Sequence, residues 1–234
     1  MQAVILAAGE GMRLRPLTDD RPKPMVLIGG KPILEYTLNM LPKEIEEVIL
    51  VVGYKQEKIK EYFGNEWSGK HIVYVDQSRQ KGTGDALVKA QPFLNGEPFL
   101  LLQADDLYHP DDLSALAASD LPAVLVIEHE HPERFGVCTV SPDGLLLELI
   151  EKPAHPKGNL VNVGPNLLHH DIFDLDLGAP MLPNGESNLA AQIGIWLSRR
   201  PVRAMKGRFW YAIGYPQDLE GAERYVNLFS RKTV

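Results

Sequence analysis

Residues 3–24 read Ala-Val-Ile-Leu-Ala-Ala-Gly-Glu-Gly-Met-Arg-Leu-Arg-Pro-Leu-Thr-Asp-Asp-Arg-Pro-Lys-Pro. They begin with a continuous apolar run that ends at a glycine, which is typical of a buried parallel strand. The remainder is rich in glycine, proline and arginine, and predicts a long loop from residue 9 to about residue 30. Open α/β sheets bind ligands beyond the carboxyl ends of their strands, so this loop is the first candidate for a functional site.

Outward from this segment, the first half of the chain alternates between predicted strands and helices. Further apolar runs predict strands at 48–52, 72–75 and 99–102. Helical spacing predicts one helix that begins at Pro32 and two more at 56–63 and 85–94. This order predicts a doubly wound, mostly parallel, Rossmann-like α/β sheet with helices on both faces.

The second half of the chain is less regular. Strands are predicted at 123–127, 135–140 and 145–150, with a turn at 141–144 joining the last two, and a helix is predicted after Pro216. Neither an internal repeat nor a flexible linker interrupts the sequence. We therefore expect a single domain over 1–234, with one lobe at about 1–110 and an α+β lobe at about 111–234.

Composition narrows the class of protein. The chain has 234 residues, of which 44% are hydrophobic and 24% charged, and this excludes a disordered or fibrous protein. Its net charge of −7 predicts no binding to nucleic acid or to an anionic membrane surface. The single cysteine, Cys138, permits no intrachain disulfide, and no basic residue precedes the apolar start, so we expect a cytoplasmic protein.

The first loop, defined here as residues 9–24, has the composition of a phosphate site. Gly9 and Gly11 let the backbone approach a ligand closely and expose N–H groups to an anion. Four cations lie within eleven residues of this acidic protein, namely Arg13, Arg15, Arg21 and Lys23. Arginine grips phosphate oxygens in pairs, whereas lysine acts as a point charge.

Other phosphate motifs do not fit this loop. A dinucleotide fingerprint requires a third glycine where Leu14 stands, and Gly29-Gly30-Lys31 is followed by Pro32 rather than by serine or threonine. An exposed loop with solvated charges stays open as the alternative.

The first loop resembles the signature of the sugar-1-phosphate nucleotidylyltransferases, Leu-Ala-Ala-Gly-x-Gly-x-Arg followed by a basic segment that ends in Pro-Lys-Pro. The resemblance implies the nucleotide-diphospho-sugar transferase type of fold, with a nucleotide-binding first lobe and a sugar-phosphate-binding second lobe. It implies catalytic roles for Arg13 and Lys23. The nucleotide contacts that it implies here are Leu6, Ala8, Gly9, Gly11 and Met12.

The second loop, residues 77–84, precedes a predicted helix. Its glycines can let a flat base lie against the backbone, while Thr83 can also serve as an N-cap. In the family, glutamines followed by a Gly-Thr segment surround the base. The resemblance therefore implies base contact by Gln77 and Gln80 and nucleotide contact by Gly82 and Thr83, and it favours UTP or dTTP.

The third cluster is the acidic pair at the end of the strand that begins at 99. Carboxylates at the end of a strand can hold a hard cation, although a cap or turn role is equally consistent with the sequence. The family carries an aspartate here that holds Mg²⁺. The resemblance assigns that role to Asp105, with Asp106 as the alternative.

The second lobe carries segments that resemble the family's sugar pocket. By this resemblance Gly136 contributes backbone, Glu151 and Asn162 bind sugar hydroxyls, and Lys152 approaches the sugar phosphate. From the residues alone, Glu151 is equally consistent with a solvated strand end.

One position departs from the family pattern. The segment that begins Phe209-Trp-Tyr-Ala212 matches a family segment in which an aspartate, usually a second metal ligand, stands at the position of Ala212. For Trp210 and Tyr211 in this segment we favour packing in the wall, with stacking near a ligand as the alternative. The substitution leaves a catalytically weak or inactive homologue as an alternative.

Together these features predict transfer of a nucleotidyl group from a nucleoside triphosphate to a sugar 1-phosphate. A guanylyltransferase of the mannose-1-phosphate type is an alternative, and so is a glycosyltransferase, although the latter needs fewer cations. Family members often self-associate, so a homo-oligomer is also open. No hexapeptide repeat is present, and we expect no acetyltransferase activity from these residues.

Overall fold

The computed structural model describes residues 1–179, 182 and 185–230. The strands in these residues are β1 (Gln2–Ala7), β2 (Leu27–Ile28), β3 (Lys31–Pro32), β4 (Glu47–Val52), β5 (Glu66–Trp67), β6 (Lys70–Asp76), β7 (Phe99–Gln103), β8 (Asp106–Tyr108), β9 (Ala123–Glu128), β10 (Gly136–Val140), β11 (Leu146–Glu151), β12 (Leu160–Leu168), β13 (Arg203–Lys206) and β14 (Trp210–Ala212). The α-helices are α1 (Ile33–Met40), α2 (Gln56–Phe63), α3 (Thr83–Ala90), α4 (Pro110–Ala117), α5 (Leu189–Trp196) and α6 (Asp218–Ser230).

One sheet joins the two halves of the chain. Its strand order is β11-β10-β12-β7-β1-β4-β6-β5, and β9 pairs with both β12 and β13. β1 pairs in parallel with β4 and β7, and β4 pairs in parallel with β6. The predicted mostly parallel α/β fold is confirmed, and β12 continues the sheet into the second half by pairing antiparallel with β7.

Packing on both faces of the sheet explains why β1 is apolar throughout. Ala3 and Ile5 point into one buried cluster, which includes Leu34 of α1. Val4 and Leu6 point into the other, which includes Leu87 of α3. Since successive side chains of a strand point to opposite faces, a strand covered on both faces must be apolar at every position.

The direction of the chain reverses beside β1. From β1 the chain proceeds to β4 and β6 on one side and then crosses to β7 on the other. At such a point the loops that follow two neighbouring strands diverge and leave a crevice at the carboxyl ends of the strands. The first loop follows β1 and the Asp105-Asp106 pair follows β7, so both open into this crevice.

Strand β12 was not predicted from the sequence. Its interior contains Gly164 and Pro165, a dipeptide that normally indicates a turn, and its register against β9 shifts between Asn162 and Asn166. The short antiparallel pair of β8 and β14 was not predicted either. In the part of the chain that the structure describes, no helix combines the length and apolar character needed to span a bilayer.

Candidate active site

A cleft with a volume of about 900 Å³ lies at the carboxyl ends of the central strands. Both halves of the chain line it. The predicted site residues that reach it are Arg13, Lys23, Thr83, Asp105, Gly136, Glu151, Lys152 and Asn162. The structure thus brings two cations of the first loop, Arg13 and Lys23, to the same cavity as Asp105 and the predicted sugar residues.

Gly11 lets the first loop close on itself. Its φ angle is +71°, and a Cβ atom there would lie 2.7 Å from Cβ of Lys23. The hydroxyl of Thr18 donates a hydrogen bond to the Gly11 carbonyl oxygen at 2.9 Å. A side chain at position 11 would therefore displace Lys23, so this glycine serves the loop's shape as well as any ligand.

Arg13 is presented to the cleft by a short 3-10 turn, Met12–Leu14. The next residue, Leu14, is completely buried and anchors the turn in the core. The guanidinium carbon of Arg13 lies 5.3 Å from the centroid of the Tyr215 ring. This stacking orients the cation without neutralising it, because an aromatic face attracts a cation but carries no net charge.

Lys23 and Asp105 form an ion pair inside the cleft. Nζ of Lys23 lies 2.6 Å from Oδ2 of Asp105, and their side chains are 12% and 31% exposed. Partial burial makes such a pair stronger than one on the open surface. The ammonium therefore stands at the carboxylate that the family resemblance assigns to the metal.

Asp106 holds strand β14 in place. Its Oδ2 accepts a hydrogen bond from the indole Nε1–H of Trp210 at 3.0 Å, and its Oδ1 accepts one from the backbone N–H of Ile213 at 3.1 Å. Burial and the neighbouring Asp105 carboxylate raise the pKa of Asp106 to about 7, against the lowering effect of Lys23. In the antiparallel register Ala212 lies opposite Asp106, so the substituted position faces the acidic pair.

The acidic pair fits one mode of magnesium binding. Asp105 and Asp106 both line the cleft and offer the oxygen ligands that Mg²⁺ prefers. Among the described residues, no group of three or more His, Cys, Asp or Glu side chains could hold a metal by itself. Mg²⁺ is usually held by one or two carboxylates together with substrate phosphates, so the donor set fits a metal that arrives with a nucleotide.

Three of the predicted sugar residues meet in one row of the sheet. Gly136 is paired with Glu151 on one side and with Asn162 on the other. The Asn162 side chain donates to Asn166 Oδ1 at 3.0 Å, which fixes its orientation. Lys152 follows with a left-handed φ of 45°, an uncommon conformation for a side chain that is not glycine. The row presents a carboxylate and an amide to the same wall of the cleft.

Eight of the predicted nucleotide contacts do not line the cleft. They are Leu6, Ala8, Gly9, Gly11, Met12, Gln77, Gln80 and Gly82. Met12 points outward and is 68% exposed, while Leu6 and Ala8 are buried at the end of the first strand. Gly9 and Gly11 belong to the adjoining part of the first loop. Nucleotide contact by these residues stays a prediction.

The two predicted base-contacting glutamines hold the second loop together. Nε2 of Gln80 donates to the Ala8 carbonyl oxygen at 2.8 Å. Nε2 of Gln77 donates to Gly82 O at 3.1 Å and to Asp85 Oδ2 at 2.8 Å. The second loop is thereby fastened to the end of β1. Gln77 uses both N–H donors of its amide in this way, so base contact by its nitrogen requires one of these bonds to exchange. Gln80 donates one of its two N–H groups to Ala8.

Sequence patterns missed an aromatic wall of the cleft. We define this wall as His129, Phe135 and Trp210, all of which line the cavity. The Phe135 ring lies 4.7 Å from His129 and 5.2 Å from Trp210, centroid to centroid, both in edge-on contact. Because the three residues come from separate segments, no local periodicity indicates the contact. Phe135 and Trp210 each lie in a segment that resembles the family, and this was the available signal.

The chain is similar to known proteins over most of its length. A family model described as "Nucleotidyl transferase" matches residues 2–227. The chain is 37% identical over 227 residues to the "Bifunctional protein GlmU" of Methanocaldococcus jannaschii, covering 97% of this chain and 54% of that protein. It therefore spans about half the length of that relative.

Two further proteins are similar over nearly their whole length. The chain is 35% identical to the "UTP–glucose-1-phosphate uridylyltransferase AglF" of Haloferax volcanii, covering 96% of each protein. A solved structure of apo UDP-glucose pyrophosphorylase superposes with a TM-score of 0.85 at 22% identity and covers 100% of both chains. The second likeness bears on the fold alone.

Proposed function

Because the chain belongs to the nucleotidyl transferase family, we propose that it transfers a nucleotidyl group from a nucleoside triphosphate to a sugar 1-phosphate. The observation that carries this proposal is the single cleft that joins Arg13 and Lys23 to the row of Gly136, Glu151 and Asn162. Cations suit a triphosphate at one end, and carboxylate and amide groups suit sugar hydroxyls at the other.

The reaction needs no covalent enzyme intermediate. An oxygen of the sugar phosphate, already ionised at neutral pH, attacks the α-phosphorus as the bond to the bridging oxygen breaks, and pyrophosphate leaves in line. The protein's task is then to position the two phosphates and to neutralise their charge. Arg13 stabilises charge that develops at the α-phosphate and the leaving group, while Lys23 and Lys152 hold phosphate oxygens.

Magnesium is proposed as the cofactor, held by Asp105 with Asp106 beside it. When bound, Mg²⁺ would neutralise phosphate charge and orient the leaving group. Nζ of Lys23 lies 2.6 Å from Asp105 Oδ2, so we expect the ammonium to shift toward phosphate when this oxygen binds a second cation.

For the substrates, we propose UTP or dTTP and a hexose 1-phosphate. The printed name of AglF, with 35% identity over almost the whole chain, supports UTP and glucose 1-phosphate. Contacts of Gln77 and Gln80 with the base, and of Glu151 and Asn162 with sugar hydroxyls, are part of the same proposal.

The domain organisation, the cellular compartment and the size class of the substrates are also proposed. One continuous sheet links both halves of the chain, which supports a single folding unit over 1–234. The free, buried Cys138 supports a reducing compartment such as the cytoplasm. The net charge of −7 supports small-molecule substrates rather than nucleic acid.

A panel assay tests the proposal. The protein is incubated with Mg²⁺, a set of hexose 1-phosphates and one triphosphate at a time, chosen from ATP, GTP, CTP, UTP and dTTP. Pyrophosphate and nucleotide sugar are then measured. We expect both products in equal amounts with UTP or dTTP. Triphosphate binding without either product would instead support a non-catalytic homologue, the second candidate that Ala212 favours.

A further inference from the structure

Asp106 bridges both ends of a short strand that borders the cleft. One of its oxygens accepts the indole N–H of Trp210 and the other accepts the backbone N–H of Ile213, at 3.0 Å and 3.1 Å. Trp210 is the first residue of β14, and Ile213 directly follows its last residue. β14 pairs with β8, the strand that begins with Asp106 itself. Because the two oxygens of one side chain hold the indole N–H and the backbone N–H of Ile213 together, this side chain fixes the orientation of the Trp210 ring.

The Trp210 ring in turn contacts the part of the second lobe that faces the sugar side. Its centroid lies 5.2 Å from that of Phe135 at an interplanar angle of 84° and 5.9 Å from that of His129. Edge-to-face contacts of this kind depend on ring orientation. The Phe135 carbonyl accepts the Lys152 N–H at 2.9 Å, and Gly136 follows Phe135 directly. Contacts therefore run without a gap from Asp106 through Trp210 to the row of predicted sugar residues.

From this chain of contacts we propose that Asp106 is a positioning residue for the sugar phosphate. By orienting Trp210 against Phe135, it holds the sugar end of the cleft at a fixed place relative to the first loop. The inference rests on the proposed function and extends it, since it assigns Asp106 to the acceptor rather than to the nucleotide.

The competing role for Asp106 is that of a metal ligand beside Asp105. Both Asp106 oxygens already accept hydrogen bonds from β14 and the residue after it, whereas Asp105 Oδ2 accepts one from the ammonium of Lys23. Losing the Trp210 or Ile213 bond would leave a donor in the cleft wall without its acceptor, which is unfavourable. The geometry therefore favours the positioning role, and the two roles predict different kinetics.

A double-mutant cycle separates the two roles. Asp106→Asn keeps an oxygen for the Ile213 N–H but replaces the oxygen that accepts the Trp210 N–H with an amide donor. Trp210→Phe keeps an aromatic ring but removes the indole N–H. We expect each variant to raise the KM for sugar 1-phosphate about tenfold while the KM for the triphosphate stays within about twofold. Because Asp106 acts through Trp210, the double variant should be no worse than the worse single variant.

Trp67→Phe is the matched control. Its indole Nε1–H also donates to a side-chain oxygen, that of Asn39 at 3.0 Å, but Trp67 does not line the cleft. This variant should leave both KM values unchanged. Additive effects in the double variant, or a raised KM for the triphosphate and a raised Mg²⁺ requirement in Asp106→Asn alone, would overturn the proposal and assign Asp106 to the metal.

A fluorescence measurement makes the test independent of turnover. The emission of Trp210 is the difference between the wild-type spectrum and that of Trp210→Phe. In Asp106→Asn it is the difference between that variant and the double variant. In Asp106→Asn we expect it to shift to longer wavelength and to be quenched more strongly by acrylamide; an unchanged contribution would overturn the proposal. If the wild-type protein releases no pyrophosphate, the proposed function fails, and this comparison still decides whether Asp106 fixes Trp210. If Asp106→Asn does not fold, the acceptor-selective effect of Trp210→Phe decides instead.

Discussion

At the scale of single residues, Lys23 links the first loop to the acidic strand end. Its ammonium lies 2.6 Å from Asp105 Oδ2, although the two residues are 82 positions apart in sequence. A tethered cation at a carboxylate competes with any free cation for the same oxygen, since two positive charges at short range repel each other. The resting protein is therefore expected to bind a divalent metal weakly until a triphosphate draws Lys23 away.

The competition between Lys23 and a metal for Asp105 predicts how metal affinity changes when the Lys23 charge is removed. Lys23→Met should increase the affinity of the nucleotide-free protein for Mn²⁺, used as a spectroscopic probe for Mg²⁺, by about tenfold, because Asp105 loses its bound cation. The affinity is measured by titration with detection of free Mn²⁺ by electron paramagnetic resonance.

Lys31→Met provides the control for this measurement. Lys31 forms a comparable ion pair, with Nζ 2.8 Å from Glu35 Oε1, but lies outside the cleft. Its removal should leave Mn²⁺ affinity unchanged. Equal affinities for the wild type and Lys23→Met would show that Asp105 does not attract the metal in the free protein.

At the scale of elements, the β8–β14 pair decides what surrounds the acidic residues. The register places Ala212 directly opposite Asp106, and residues paired in this way point to the same face of the ladder. The Asp218 carboxylate does not replace the missing acid, because its Oδ2 accepts the N–H groups of Gly214 and Tyr215, each at 2.8 Å. Position 212 is thus the place where an added carboxylate would join the pair.

Ala212→Asp is predicted to lower the Mg²⁺ concentration that gives half-maximal activity, by about three- to tenfold, since it adds a hard oxygen ligand near Asp105. Ala212→Asn has nearly the same shape without the charge and should give a smaller shift. The measurement is the rate of pyrophosphate release as a function of Mg²⁺. No shift in Ala212→Asp would mean that this edge of the cleft does not face the metal.

The start of α3 is set by close backbone packing. A Cβ atom on Gly84 would lie 2.1 Å from the Leu177 carbonyl oxygen, and Ser187 packs against the same residue. Gly84→Ala should therefore lower the free energy of unfolding by about 1–3 kcal/mol, as overpacking does in other cores.

Urea denaturation measures this loss. Gly158→Ala is the control, because nothing lies within 4 Å of the Cβ position there. That control should change the unfolding free energy by less than about 0.5 kcal/mol, as is usual for surface changes. If Gly84→Ala is as stable as the control, then α3 can move away from Leu177 without loss.

The sequence predicted those elements whose pattern is local. β1, β4 and β7 are covered on both faces, so their apolar runs alone indicate buried strands, and α2 was predicted with the bounds that the structure gives, Gln56–Phe63. β12 escaped because Gly164-Pro165 interrupts its pattern, and β14 because three residues have no measurable period.

The same limit applies to the site. The first loop and the Asp105-Asp106 pair were found because each lies in one short segment that follows a strand. The Trp210 bond to Asp106 joins residues 104 positions apart, and the contact of Trp210 with Phe135 depends on how two separate segments fold together. Such contacts are set by tertiary packing, which the order of residues alone does not display.

At the scale of the whole molecule, one sheet positions the residues proposed for both substrates. Asp105 lies two residues beyond the end of β7. β12, the antiparallel neighbour of β7, carries Asn162. β10 then adds Gly136 beside Asn162. Since β7, β12 and β10 are hydrogen-bonded in this order, the sheet fixes the distance between Asp105 and the pair of Asn162 and Gly136. Catalysis by positioning requires such a fixed distance.

The proposed nucleotidyl transfer depends on triphosphate binding by the first loop in front of this sheet. Isothermal titration calorimetry with UTP and dTTP in the presence of Mg²⁺ tests it most directly, on the wild type and on Arg13→Ala. Arg224→Ala, which removes an exposed arginine on α6, serves as the control. We predict one site per chain in the wild type and in Arg224→Ala, and at least about tenfold weaker binding in Arg13→Ala, because a charge-assisted contact to phosphate is lost. Absence of binding by the wild type, or equal binding by Arg13→Ala, would contradict the account.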